Sequence, residues 1–179
     1  WTFILLSGYS FSLGRRHWRR GWLVFACGAV VTAVTVVVMP GQEIWYNPNI
    51  PSEEVFTTPV RGDAEGVVYS TRPLSYRGVL IENFSIRFEK GRVTGGHAEK
   101  NEEALRLMVN MDEGASMLGE CAFVPYASPI RESGILFYNT LFDENASCHL
   151  ALGMGYSSCL KDFDKYSPEE ARALGVNDS

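Results

Sequence analysis

Histidine occurs only three times in the 179 residues and cysteine only four. Cys27, Cys121, Cys148 and Cys159 form no Cys-x-x-Cys pair, which argues against zinc-finger ligation and a disulfide framework. A reducing compartment is the expectation for residues 47–179. An excess of basic charge is missing as well. The net charge is −5, unevenly held: residues 1–46 carry Arg15, Arg16, Arg19 and Arg20 against Glu43, a balance of +3. The remainder has 12 bases against 20 acids, a balance of −8. A domain that acidic lacks the basic footprint a nucleic-acid partner needs, and it suits a protein that holds divalent cations. Repeats and low-complexity stretches are absent. The chain opens on Trp1 and not on Met, which reads as a fragment.

Apolar residues dominate the start. Trp22 to Met39 holds 18 residues without a charge, long enough as a helix to cross most of a ~30 Å hydrocarbon layer. Arg15-Arg16-His17-Trp18-Arg19-Arg20 precedes it, and a second apolar run covers Trp1 to Leu13. The spacing predicts a membrane-helix hairpin with its basic loop on the cytoplasmic side, hence membrane association through residues 1–39. Val38-Met39-Pro40-Gly41 offers no small-x-small cleavage site, which argues against a signal peptide. The stretch Phe3 to Gly14, the arginine cluster and Val37-Val38-Met39-Pro40 resemble part of a multi-pass bacterial membrane protein similar to the heparan-α-glucosaminide N-acetyltransferase catalytic domain. That likeness covers about two helices and assigns no catalytic residue.

From Asn47 the pattern changes to a mixed α+β domain, so the division expected is 1–46 and 47–179. Val67 to Thr71 and Gly78 to Ile81 are β-rich runs bounded by Gly and Pro. Phe84, Ile86 and Phe88 alternate with polar residues, and Lys90-Gly91 before Arg92-Val93-Thr94 predicts a hairpin. Asn101 to Val109 predicts a helix with Ala104, Leu105, Met108 and Val109 on one face and Glu102 four residues before Arg106 on another. Asp112 to Leu118 predicts a second short helix. Ser167-Pro168-Glu169-Glu170 has the cap, first-turn proline and third-position acid of a helix start, and Gly175 supplies the stop.

Three blocks carry candidate chemistry: Asn49 to Pro59 (Asn-Ile-Pro-Ser-Glu-Glu-Val-Phe-Thr-Thr-Pro), Gly119 to Pro125 (Gly-Glu-Cys-Ala-Phe-Val-Pro), and Gly134 to His149. Taken singly, Glu54 reads as an exposed acid beside Glu53 and Glu120 as a helix-end carboxylate. His149 reads as a core histidine and Tyr156 as a packed tyrosine. His97 lies in a polar turn with no partner block, and Asp143 and Glu144 read as loop acids or as groups around a site.

In this order, over residues 47–179, the blocks resemble the metal-dependent aminopeptidases of the aminopeptidase T, aminopeptidase S and PepS type. The resemblance implies that Glu54 is a first metal ligand, Glu120 a second shared between two ions, and His149 a third. Tyr156 then lies by the metals, as a ligand or as the group that stabilises the tetrahedral intermediate. It also implies two divalent ions (zinc, cobalt or manganese), a peptide substrate that loses its first residue, a homodimer and a cytoplasmic location. Carboxylates and imidazole suit such ions, and a carboxylate can bridge two of them about 3.5–4 Å apart. In the family, a block of about Asn-x-Ser-x-x-His-x-Asp follows the glycine after the Ser-Pro-Glu-Glu helix. Val176-Asn177-Asp178-Ser179 enters that block. The expectation is a truncated, chimeric fragment whose remaining His and Asp ligands would follow Ser179, and which is inactive alone. The alternative is a non-catalytic fragment of the multi-pass membrane protein.

Overall fold

A computed structural model of the chain describes residues 53–178 and three short strands before them. Those are β1 (Thr2–Ile4), β2 (Val37–Val38) and β3 (Trp45–Tyr46). They are followed by β4 (Val55–Thr57), β5 (Gly66–Tyr69), β6 (Leu74–Tyr76), β7 (Val79–Glu89), β8 (Arg92–Lys100), β9 (Leu118–Phe123) and β10 (His149–Leu152). The described helices are α1 (Glu102–Val109), α2 (Pro129–Glu132), α3 (Thr140–Glu144) and α4 (Pro168–Ala173). The mixed α+β character read from the sequence is therefore present.

The β7–β8 hairpin supplies the core. Phe84, Ile86 and Phe88 occupy alternate positions of β7 and are all but fully buried, because successive strand residues face opposite sides. Lys90 and Gly91 have φ of 50° and 77°, the two left-handed residues that a tight hairpin turn requires. The two β-rich runs expected before the hairpin are present in altered form. One is β5, and the other is absorbed into the start of β7, which pairs with β6 there and with β5 further on. Helix α1 sends Leu105 and Met108 into the same core, and its outer Glu102 and Arg106 form an ion pair at 3.1 Å.

A second sheet, ordered β1-β10-β9-β4 and antiparallel throughout, has two unlike faces. Leu150 lies opposite Cys121 and Leu152 opposite Leu118, and these four join the hydrophobic core or pack on it. Register alternation turns His149 (opposite Ala122), Glu120 (opposite Ala151) and Phe56 (opposite Ala122) to the other face. A bulge between Ala151 and Leu152 leaves Gly119 without a ladder partner. Gly119 packs backbone against backbone there: a Cβ added to it would collide with the carbonyl oxygens of Gly153 and Met154.

Two expectations are corrected here. The helix expected over Asp112–Leu118 is a single 3-10 turn, Gly114–Ser116, anchored by Ala115 N–H on Asp112 Oδ1 at 2.7 Å, and Leu118 already begins β9. Gly114 and Ser116 are weak helix formers, and the sheet claims the residues after them. Thr2–Ile4 and Val37–Val38 are extended, not helical, at those five residues of the expected membrane hairpin, where β-branched side chains favour strand pairing. The rest of that hairpin lies outside the described residues. Among the described residues no helix is long and apolar enough to cross a membrane. The capping box at Ser167 is present in full: Glu170 N–H donates to Ser167 Oγ at 3.2 Å and Ser167 N–H to Glu170 Oε2 at 2.8 Å.

Candidate metal centre

Glu54 immediately precedes β4, Glu120 sits inside β9, and His149 opens β10. Each of the three offers one ligand atom, and these atoms all lie within 4.8 Å of one another. Glu120 is therefore a mid-strand carboxylate and not a helix-end one, and Glu54 has a buried side chain, only 6% exposed. His149 Nε2 stands 3.4 Å from Glu54 Oε2 and 3.8 Å from Glu120 Oε1. Those separations exceed the hydrogen-bond range, so the atoms converge on one point without bonding to each other. Glu54 Oε2, Glu120 Oε2 and His149 Nε2 are all buried and lack a hydrogen-bond partner.

Orphaned buried polar atoms are costly, and three at one point are what a cation would satisfy. The histidine is prepared for it. Its Nδ1 lies 3.1 Å from the Ser147 carbonyl oxygen and donates there, so Nε2 is the nitrogen that would present a lone pair to a cation once its own proton is displaced. Two carboxylates and one imidazole, deprotonated at Nε2 on binding, form a donor set that suits zinc, cobalt or manganese.

A fourth group belongs to this neighbourhood. Glu144, at the end of α3, is 2% exposed and its Oε2 has no partner. Its placement depends on Asn145, whose Oδ1 accepts from Glu53 N–H at 2.8 Å and whose carbonyl accepts from Ser128 Oγ at 2.6 Å. The start of β4 is thereby tied to the end of α3. Asp143 has the other fate: its carboxylate accepts from Phe137 N–H (2.8 Å) and Asn139 N–H (3.1 Å), holding the loop ahead of α3. His97 stays apart from the cluster, exposed and 2.6 Å from Glu102.

Burial and crowding of charge set the protonation of the group. Burial, then the nearby Glu120 carboxylate, push Glu54 up to about 7 against the opposing pull of His149. Burial likewise pushes Glu144 up to about 8, with His149 opposing and Glu54 and Glu120 reinforcing. Burial works against a charge on His149, yet the surrounding Glu120, Glu54 and Glu144 carry it up to about 9. Tyr156 is raised first by burial and then by the fields of Glu120, Glu144 and Glu54, so its phenol stays protonated. The Phe56 ring stacks on it, centroids 4.7 Å apart.

A buried, unsatisfied carboxylate–imidazole cluster of this kind defines a candidate metal site. Residues 37–179 match the family described as Thermophilic metalloprotease (M29), and the chain belongs to that family. Residues 1–48 match the family described as Heparan-alpha-glucosaminide N-acetyltransferase, catalytic. Aminopeptidase AmpS of Bacillus subtilis (strain 168) is 53% identical over 155 residues, covering 80% of this chain and 38% of AmpS. Aminopeptidase T of Thermus thermophilus is 48% identical over 133 residues, covering 74% of this chain and 32% of the relative. The solved structure of wild-type AmpT from Thermus thermophilus superposes with a TM-score of 0.71 at 44% identity, covering 80% of this chain and 35% of that one. The chain thus spans about a third of the length of the curated relatives it matches.

Proposed function

We propose that residues 47–179 form the metal-binding part of an aminopeptidase, with Glu54, Glu120 and His149 as ligands and Glu120 as the carboxylate shared between two ions. The observation that carries this reading is the convergence of three orphaned ligand atoms within 4.8 Å. A bound divalent ion would lower the pKa of water and polarise the scissile carbonyl. The chain's own groups divide the remaining work. Glu144, buried beside the ligands with its Oε2 unpartnered, is the group placed to act as general base: it would take a proton from the attacking water and return it to the leaving amine. The Tyr156 phenol, held protonated, donates a hydrogen bond to the carbonyl oxygen as negative charge develops there.

The substrate is a peptide with a free amino terminus, as the names of the relatives support. The homodimer, the cytoplasmic location, the division at residue 46 and the membrane attachment through residues 1–39 are proposals on the same footing. The last rests on the uncharged run Trp22 to Met39.

Calorimetry of the chelator-stripped chain with zinc and with cobalt tests the ligand set. Saturable binding that is lost in both E120Q and H149A supports it; equal binding by wild type and both variants would overturn it.

A further inference from the structure

Glu54, Phe56 and Thr58 occupy every second position from the residue before β4 to the residue after it. Glu54 belongs to the ligand cluster. The other two both hold Tyr156, a residue on the loop after β10 where no strand pairing fixes it. Thr58 is 8% exposed, and one hydroxyl serves both main-chain groups of the tyrosine. Tyr156 N–H donates to Thr58 Oγ1 at 2.7 Å, and the Thr58 O–H donates to the Tyr156 carbonyl at 3.2 Å. A hydroxyl has the donor and the lone pairs to do both at once. Phe56 braces the ring at 4.7 Å, tilted by 44°.

The contact is close enough to constrain its neighbours. A Cβ on Gly155 would come within 2.6 Å of Thr58 Cγ2, so the methyl of Thr58 lies where only a glycine leaves room. Gly155 N–H in turn donates to the carbonyl of the fully buried Asn177 at 2.7 Å. Loop-borne groups locate a reacting atom less well than strand-borne ones unless supporting contacts fix them. β-branching makes Thr58 stiff at χ1, a suitable anchor.

We propose that Thr58, with Phe56, is a positioning residue: it fixes Tyr156 in the same frame as the metal ligand Glu54, so that the phenol faces the Glu54–Glu120–His149 cluster. This rests on the functional reading of that cluster given above.

The test uses the whole 179-residue chain labelled with 3-fluorotyrosine, the Tyr156 line being identified by its loss in Y156F. Metal-free protein decides the contact. T58V, which loses both bonds, should shift and broaden the Tyr156 fluorine line and speed Tyr156 amide exchange about tenfold, the change expected on loss of the one ordinary hydrogen bond that holds that amide. T58S, which keeps the hydroxyl, should stay within about threefold of wild type. F56L should move the ring line while leaving the amide protected, and it carries the test if T58V fails to fold. An unchanged line and exchange rate in T58V, or equal disruption by T58S and T58V, would overturn the proposal. Zinc titration then separates the two ideas. Zinc should displace the Tyr156 line in wild type and displace it much less in T58V, with zinc affinity within about threefold. A wild-type line that ignores bound zinc would overturn the facing of Tyr156 to the cluster, whereas the metal-free exchange rates judge the latch itself.

Discussion

The β7–β8 hairpin and the β4–β9–β10 strands both set polar side chains at strand spacing, and they treat them in opposite ways. On the hairpin the polar groups are exposed and paired: Lys100 with Glu82, Asn83 Nδ2 with Glu99 at 2.6 Å, and His97 with Glu102 at the neighbouring helix start. On the site strands Glu54, Glu120 and His149 are buried, each with an atom that bonds to nothing. Exposed pairs are worth little and cost little, whereas buried unpaired charge is expensive. A fold stabilised by the first region carries the second as a burden, which is the distribution expected when a buried cluster is kept for a ligand it does not itself contain.

The sharpest way to break this contrast is in the hairpin core. F84A removes a side chain that is 1% exposed and should cost about 3–5 kcal/mol in urea unfolding. The folded fraction should bind zinc with unchanged affinity. A zinc affinity that falls in step with stability would mean that the two regions are not separable.

Next comes pH. Glu54 and Glu144 have folded pKa values raised from 4.5 to about 7 and about 8, so the folded metal-free chain binds protons that the unfolded chain has already lost. His149, raised from 6.5 to about 9, adds stability below its unfolded value that disappears as pH rises through 9. All three signs agree: the metal-free chain should lose about 2–4 kcal/mol between pH 5 and pH 9, allowing for coupling among the groups. Zinc must displace the same protons, so its affinity should rise over that range. Urea midpoints at pH 5, 7 and 9, with chelator and with zinc, check both. A metal-free chain that becomes more stable toward pH 9 would refute the charge assignment.

A smaller effect isolates one carboxylate. E54Q, measured metal-free at pH 9, should be more stable than wild type by about 1–2 kcal/mol, since it removes a buried charge beside Glu120 and Glu144. The zinc-induced gain in stability should disappear in the same variant. Destabilisation at pH 9 would place Glu54 among the structural groups instead. The smallest effect belongs to the hairpin surface: K100A should stay within about 0.5 kcal/mol of wild type despite losing its ion pair.

The same contrast explains what could be read from the sequence. The hairpin and α1 are local objects, legible from the alternation of Phe84, Ile86 and Phe88, the Lys90-Gly91 turn and the four-residue step from Glu102 to Arg106. The site is assembled across long separations, and no periodicity reports that. Glu54, Glu120 and His149 were identified through resemblance, and the structure brings them together. Glu120 alone reads as a helix-end acid because nothing local announces that Gly119 is the bulge of a strand that begins at Leu118. For Glu144 the sequence leaves two readings open, a loop acid or a group around a site, because the tie that seats it is Asn145 reaching a backbone N–H 92 residues away. Thr58 lies within the first of the three blocks, yet nothing local marks its role, which is two main-chain bonds to Tyr156, 98 residues later.

Gly119 and Gly155 line a seam where main chain lies directly on main chain or on a rigid threonine methyl. Contacts of that kind contain no rotamer that can turn aside. A methyl group introduced at Gly119 must displace main chain, either β9, which carries Glu120, or the Gly153–Met154 segment that follows β10 and His149. The seam therefore acts as a shim that sets the gap between ligands. Variation along it would show first as a drift in which size of cation the site prefers, measurable as the ratio of zinc to manganese affinity in G119A, before any loss of fold.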